Sequence, residues 1–192
     1  MNVLIIIGHP GKNSFNHALA DAFIKGAQKN NTTTIKTLEI SEMNLDLAMT
    51  GFDKDKPEID SIREAQEMIK WADHIIFIYP IWWATMPAML KAFFEQVFDS
   101  GFAFKYKKSK KFVKWDKYLK GKTSQIISTM DSPPWYYRYF VGDPGYKTIK
   151  DIMNFGGIKV TGRTYFGSVK VSTDDQRRKW LEKAERLGIR MK

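Results

Sequence analysis

Apolar positions along this chain fall into two rhythms, short unbroken runs and longer stretches at helical spacing, and the two alternate. Val3–Ile7 is a continuous apolar run closed by Gly8-His9-Pro10-Gly11, the pattern of a buried strand ending in a turn. From Ser14 to Lys29, Ala18, Leu19, Ala22, Phe23 and Ala27 recur at helical spacing, with Ser14 or Asn16 as the cap. Ile35–Ile40 alternates and predicts a second strand, and a polar, proline-broken stretch follows to about Pro57. Ile59–Trp71 predicts a helix with Ile62, Ala65, Ile69 and Ala72 on one face. Ile75–Tyr79 is an apolar third strand stopped by Pro80, and residues 86–98 predict a strongly apolar helix. Gln125–Thr129 is a fourth strand, after which Pro133-Pro134 allow neither helix nor ladder to continue. Pro144–Phe155 predicts a helix with proline at its start, Lys159–Phe166 a fifth strand around Gly162, and Asp174–Leu187 a last helix that buries Trp180, Leu181, Ala184 and Leu187.

Strand and helix therefore alternate five times, which implies an α/β domain with a parallel sheet covered on both faces. No internal repeat or composition break divides the 192 residues, so they are expected to form one domain, residues 1–192. Such sheets bind ligands at the carboxyl ends of their strands, near the point where strand order reverses. That singles out the loops at 8–16, 80–86 and 129–137.

Composition narrows the chemistry. An apolar fraction of 43% suits a globular protein, and no run approaches the length of a transmembrane helix. Met1 leads straight into the first strand without the basic segment and cleavage site of a secretory signal, so a cytoplasmic location is expected, without membrane insertion. The absence of cysteine excludes disulfides, thiolate catalysis and cysteine-ligated zinc. The three histidines, at 9, 17 and 74, lack metal-ligand spacing, and His74, at the start of a strand, reads as structural. No metal is expected. No serine elbow or paired carboxylates point to hydrolysis. The formal net charge of +10 attracts anions without choosing among nucleic acid, lipid and a phosphorylated small molecule.

The first loop leads into a helix N-terminus, where free N–H groups and the helix dipole favour a phosphate. It is not a Walker A loop, since Ile6 stands where a glycine is required, nor is it GxGxxG. A mononucleotide or flavin phosphate remains as the guest, against a plain turn capped by Ser14. In the second loop, Trp82 and Trp83 are adjacent in an extended segment and so face opposite sides, fixed by Pro80 and Pro87. One core does not easily receive both, and a planar heteroaromatic ring suits such a platform better than plain packing does. In the third loop the N–H groups of Asp131 and Ser132 can donate to a guest, while Pro133 and Pro134 have none to give. Lys105–Lys122 is lysine-rich, with Phe112, Trp115 and Tyr118 three apart. Single-stranded nucleic acid is one reading of that mixture, but the spacing favours a short helix or lid with a solvated basic face over a packed aromatic one, so no nucleic-acid partner is expected.

Taken together, Gly8-His9-Pro10 with Ser14-Phe15-Asn16, Tyr79-Pro80-Ile81-Trp82-Trp83 with Pro87-Ala88-Met89-Leu90-Lys91, and Gly101-Phe102-Ala103-Phe104 resemble the NAD(P)H quinone reductase family, DT-diaphorase-like and flavodoxin-like in fold. The resemblance runs from Met1 to about residue 106 and more weakly beyond. It implies a five-stranded parallel sheet in the order 2-1-3-4-5 with helices on both faces. It also implies a flavin, FAD or alternatively FMN, NAD(P)H as hydride donor, a quinone or related aromatic acceptor, and ping-pong transfer through flavin N5 in a homodimer with shared active sites. By position, His9, Ser14, Phe15 and Asn16 would hold the flavin phosphates. Pro80, Ile81, Trp82, Trp83 and Ala84 would flank the ring, and Thr129, Met130, Asp131 and Ser132 would face its pyrimidine end. Phe104 and Tyr106 would reach into the partner's site and cover the acceptor.

The chain also departs from the family pattern. Asp131 and Ser132 stand where mammalian-type members have two glycines. Of the tyrosine–histidine pair that stabilises charge on the reduced flavin, Tyr136 is the counterpart of the tyrosine, but Gly142 or Asp143 occupies the histidine's place. Arg177 matches an arginine near the adenosine half of FAD, which favours FAD, although it also opens a surface helix. An ancillary, flavin-binding subunit of a membrane transport system is the alternative function.

Overall fold

A strand with no polar face must be covered on both sides, and the run Val3–Ile7 is. The computed structural model describes residues 1–51, 59–108 and 112–191. Its elements in chain order are β1 (Asn2–Ile7), α1 (Phe15–Ala27), β2 (Thr34–Glu39), α2 (Asp60–Trp71), β3 (His74–Pro80), α3 (Ala88–Val97), β4 (Phe104–Lys107), β5 (Lys114–Lys117), β6 (Thr123–Thr129), α4 (Pro134–Tyr136), α5 (Pro144–Gly156), β7 (Lys159–Phe166) and α6 (Asp174–Ile189). Five strands pair in parallel in the order β2-β1-β3-β6-β7. This is the expected 2-1-3-4-5 order once the ribbon β4–β5 is left out of the count. The polar stretch expected to run to about Pro57 falls partly outside the described residues.

Alternate residues of β1 supply two cores. Leu4 and Ile6 face α2, α3 and α5, where Ile69, Leu90, Phe93, Ile149 and Met153 are buried. Val3, Ile5 and Ile7 face α1 and α6, against Leu19, Phe23 and Ala184. On that second side the helices touch backbone to backbone. A Cβ on Gly26 would fall 1.9 Å from the carbonyl oxygen of Glu185, and one on Gly188 would fall 2.2 Å from that of Phe23.

The lysine-rich stretch is not the short helix or lid that its three-residue aromatic spacing predicts. β4 and β5 form an antiparallel ribbon in which Tyr106 pairs with Trp115 and Lys107 with Lys114. Trp115 stacks on Phe155 of α5 at 4.5 Å and donates its indole N–H to the Phe155 carbonyl at 3.0 Å, whereas Phe112 and Tyr118 stay exposed. Long-range contacts to α5, the Trp115–Phe155 stack among them, hold the ribbon in place; residues 109–111 of this stretch lie outside the described ones.

Candidate functional site

Loops from the carboxyl ends of β1, β3, β6 and β7 meet at one end of the sheet. Gly8 follows β1 and donates its N–H to the Ile78 carbonyl at 2.7 Å. A Cβ there would lie 2.9 Å from Tyr79 Cβ and 2.7 Å from Leu90 Cδ2, so a side chain at this position would crowd β3 as well as α3. Asn13 adopts a left-handed φ of 56° just before Ser14 caps α1. Ser14 and His17 close the cap mutually: the Ser14 N–H donates to His17 Nδ1 at 3.2 Å, and the hydroxyl lies 2.7 Å from the same atom. Behind them, the first-turn N–H groups of Phe15 and Asn16 have no carbonyl to bond, as at any helix start. Asn16, only 2% exposed, pairs its side-chain amide with the Thr129 hydroxyl at 3.2 Å and so ties the first loop to the end of β6. His9 accepts from the Gly11 N–H at 2.9 Å, and its ring meets Trp82 edge-on at 5.6 Å.

The second loop is a tight turn. The N–H of Trp82 donates to the Thr85 carbonyl at 2.9 Å and the N–H of Thr85 to the Trp82 carbonyl at 3.0 Å. The two central residues, Trp83 and Ala84, have φ of 48° and 66°. Positive φ at both centres is the habit of a type I′ turn, normally filled by glycine or asparagine; here a tryptophan and an alanine bear the strain. Trp83 is 100% exposed, and Trp82 and Ala84 are exposed beside it. The N–H groups of Trp83 and Ala84 bond to nothing among the described residues.

The third loop is anchored from β7. The N–H of Met130 donates to the Phe166 carbonyl at 2.9 Å, Asp131 Oδ1 accepts from the Lys170 N–H at 3.0 Å, and the Ser132 carbonyl accepts from Ser168 at 3.3 Å. The N–H groups of Asp131 and Ser132 are left without partners among the described residues. Met130 itself is buried.

Beyond Pro133 the chain makes a short helix that widens into a π-helical turn over Tyr137–Val141. Tyr136 is 46% exposed and stacks on Phe140 at 5.7 Å. Its neighbour Tyr137 is 2% exposed; it donates its hydroxyl to the Ala84 carbonyl at 2.9 Å and accepts from the Gly145 N–H at 2.8 Å. Burial pushes the Tyr137 hydroxyl up to about 12. Asp143 holds this corner to β7, accepting from the Tyr165 hydroxyl and pairing with Arg163 Nε at 3.0 Å. Burial, and then the Asp143 bond, raise Tyr165 far above the ordinary tyrosine range. Tyr137, Asp143, Arg163 and Tyr165 escaped the sequence reading as a group; the only local sign was the doubled Tyr136-Tyr137 before the Gly142-Asp143 corner.

The side chains of some residues named from sequence are engaged away from the loops. Phe15 turns its ring to Trp180 of α6, at 6.0 Å. Arg177, one turn before Trp180, binds Ser172 Oγ at 2.9 Å and the Val169 carbonyl at 3.4 Å. Phe104 and Tyr106 line a groove of 1320 Å³ bordered by α2, α3 and α5, with Ile62, Phe94 and Phe155. No residue of the 8–16, 80–86 or 129–137 loops borders that groove. Among the described residues no cluster of His, Asp or Glu is placed to hold a metal, and no helix is long and apolar enough to cross a membrane.

A parallel sheet of this order, with its loops gathered at the β1/β3 switch point, defines the class, and comparison agrees: the family model for the flavodoxin-like fold (Flavodoxin_2) matches residues 1–187, and the chain belongs to that family. Within it, the chain is 28% identical over 191 residues to an uncharacterized NAD(P)H oxidoreductase of Haemophilus influenzae, covering 96% of this chain and 92% of that protein. It is 27% identical over 124 residues to NAD(P)H dehydrogenase [quinone] 1 of Rattus norvegicus, a match that spans 54% of this chain and only 45% of the rat protein. Among solved structures, that of Smu.1420 from Streptococcus mutans superposes with a TM-score of 0.84 at 31% identity, over 100% of both chains.

Proposed function

We propose that this chain is a flavin-dependent oxidoreductase that takes hydride from NAD(P)H and passes it to a quinone-like or related aromatic acceptor. The observation that carries the reading is the Trp82–Thr85 turn. Two strained residues, two unpartnered N–H donors and two exposed indoles lie together at the end of a buried strand. Strain of this kind persists where a ligand site needs it, and exposed tryptophan faces suit a planar ring.

The donors fit a flavin. Backbone N–H groups of Trp83 and Ala84 suit the polar edge of the ring, those of Asp131 and Ser132 its pyrimidine carbonyls, and the first-turn amides of Phe15 and Asn16 the phosphates, with His9 and Ser14 alongside. Pro80 and Ile81 set the height of the turn, through the Ile81 N–H bond to the Thr129 carbonyl at 2.7 Å. When bound, the flavin supplies the two-electron chemistry that no side chain here has. Arg177, held by Ser172 and the Val169 carbonyl, matches the arginine that the resemblance sets near the adenosine half of FAD, which favours FAD, with its second phosphate and adenosine, over FMN. Tyr136, whose hydroxyl has no protein partner among the described residues, lies on the acceptor side. Phe104 and Tyr106, in a groove that none of the three loops borders, complete the site of a second copy in a homodimer.

Purification tests this directly. The protein should be yellow, bleach with NADPH and recover its colour with a quinone, and heating should release a flavin whose mass separates FAD from FMN. A colourless protein that takes up neither flavin would overturn the proposal.

A further inference from the structure

We infer that Tyr137 is a positioning residue for the proposed redox site: its buried hydroxyl, set between the Ala84 carbonyl and the Gly145 amide, holds the strained Trp83–Ala84 turn against α5. The functional half of this inference rests on the flavin reading; the structural half stands without it.

A left-handed conformation disfavours a non-glycine residue, and here two are consecutive, so the turn relaxes unless its peptides are tied down. The Ile81 bond to Thr129 fixes the approach, and the Trp82–Thr85 pair closes the ring of the turn. Neither engages the Ala84 carbonyl. Tyr137 does, so the peptide between Ala84 and Thr85 is held on both sides, by its N–H to the Trp82 carbonyl and by its carbonyl to the Tyr137 hydroxyl, and the turn is anchored outward to α5. The N–H donors of Trp83 and Ala84 then stay available to a ligand.

The tyrosine is itself held from several sides. Its backbone N–H donates to the Pro133 carbonyl at 3.1 Å, and its carbonyl accepts from the Asp143 N–H at 3.2 Å. Asp143 is fastened to β7 through Tyr165 and Arg163, and the Arg163 guanidinium lies 4.1 Å over the Tyr146 ring of α5. A Cβ on residue 145 would fall 2.8 Å from the Tyr137 hydroxyl and 3.0 Å from Ile81 Cδ1, so glycine at the start of α5 is what lets the hydroxyl in. A continuous path thus runs from β7 through Asp143 and Tyr137 to the turn. The hydroxyl keeps its proton throughout the neutral range, because burial raises it.

The test compares Tyr137→Phe with Tyr79→Phe. Both delete a buried hydroxyl from the same tyrosine cluster, but only Tyr137 touches the turn. In the apoprotein, hydrogen exchange at the Trp82 and Thr85 amides should speed up about tenfold in Tyr137→Phe, equivalent to about 1.4 kcal/mol, and stay at the wild-type rate in Tyr79→Phe. Titrated FAD or FMN should bind Tyr137→Phe about tenfold more weakly than Tyr79→Phe at matched thermal midpoints. If both turn amides of a folded Tyr137→Phe exchange at the wild-type rate, Tyr137 does not hold the turn. If they speed up while flavin affinity stays at the Tyr79→Phe value, the positioning role is refuted. Should the wild-type chain bind no flavin, the oxidoreductase reading fails, and the exchange measurement still decides whether Tyr137 holds the turn.

Discussion

At Trp83 and Ala84 stability and function are set against each other. Replacing Ala84 with glycine removes a Cβ from a φ of 66° and costs no packing, because the side chain is exposed. We expect Ala84→Gly to raise stability by roughly 1 kcal/mol in chemical denaturation, the left-handed penalty less the added freedom of the unfolded chain. Trp83→Ala, by contrast, should barely change the denaturation midpoint, since the ring packs against nothing. It should still weaken flavin retention by about 1–3 kcal/mol, by analogy with base–aromatic stacking; full flavin occupancy after dialysis would show that the indole is no platform. His74 makes a separate statement about pH. It is buried at the start of β3 with Nδ1 2.6 Å from the Thr123 hydroxyl, and burial lowers it from 6.5 to about 4. Between those values the unfolded chain binds a proton that the folded ring refuses. Stability should therefore fall as pH drops through that window, by roughly 3 kcal/mol at its lower end. Urea midpoints between pH 7 and pH 4.5 check this, and His74→Asn should flatten the slope.

Between elements, the tightest joint is α1 on α6. Alanine is a better helix former than glycine by about 1 kcal/mol, yet Gly26→Ala should destabilise by roughly 3 kcal/mol, because its methyl group meets the Glu185 backbone rather than a movable side chain. A thermal midpoint at or above wild type would mean that the two helices can separate cheaply. Most of the main elements were legible from apolar rhythm alone, because they bury the positions their own spacing announces; β2, in which only Leu38 is buried, is the weakest case. Reading failed where a distant partner decides. Trp115 is drawn into a ribbon by Phe155, forty residues on, and nothing in a three-residue spacing reports that. Tyr136 and Tyr137 are neighbours of like chemistry, and which one turns inward depends on where Gly145 and Ala84 come together. The loops themselves were legible, since a strand end rich in glycine, proline or tryptophan is conspicuous. The bonds between the loops, such as Asn16 to Thr129, were not.

For the molecule as a whole, the net charge of +10 should act on the approach of a phosphorylated donor rather than on chemistry. Raising ionic strength from about 0.01 M to about 0.15 M shortens the screening length from roughly 30 Å to 8 Å. In that range kcat/KM for NADPH should fall several-fold while kcat holds; a kcat/KM indifferent to salt would remove the charge from the account. Sedimentation should find a dimer, and a fully active monomer would leave the Phe104–Tyr106 groove without the role proposed for it.

β1 is made first but is completed late. It sits between β2 and β3, and Val3 through Ile7 register against His74 through Ile78. At a synthesis rate of about 5–20 residues per second, the ribosome needs on the order of 4–15 s after making the first strand to deliver its second neighbour. Throughout that interval the nascent chain carries five consecutive aliphatic residues with one edge unpaired, the kind of segment that aggregates or recruits a chaperone. Chains stalled before β3 emerges should be cut readily near β1, and chains stalled after β6 should resist.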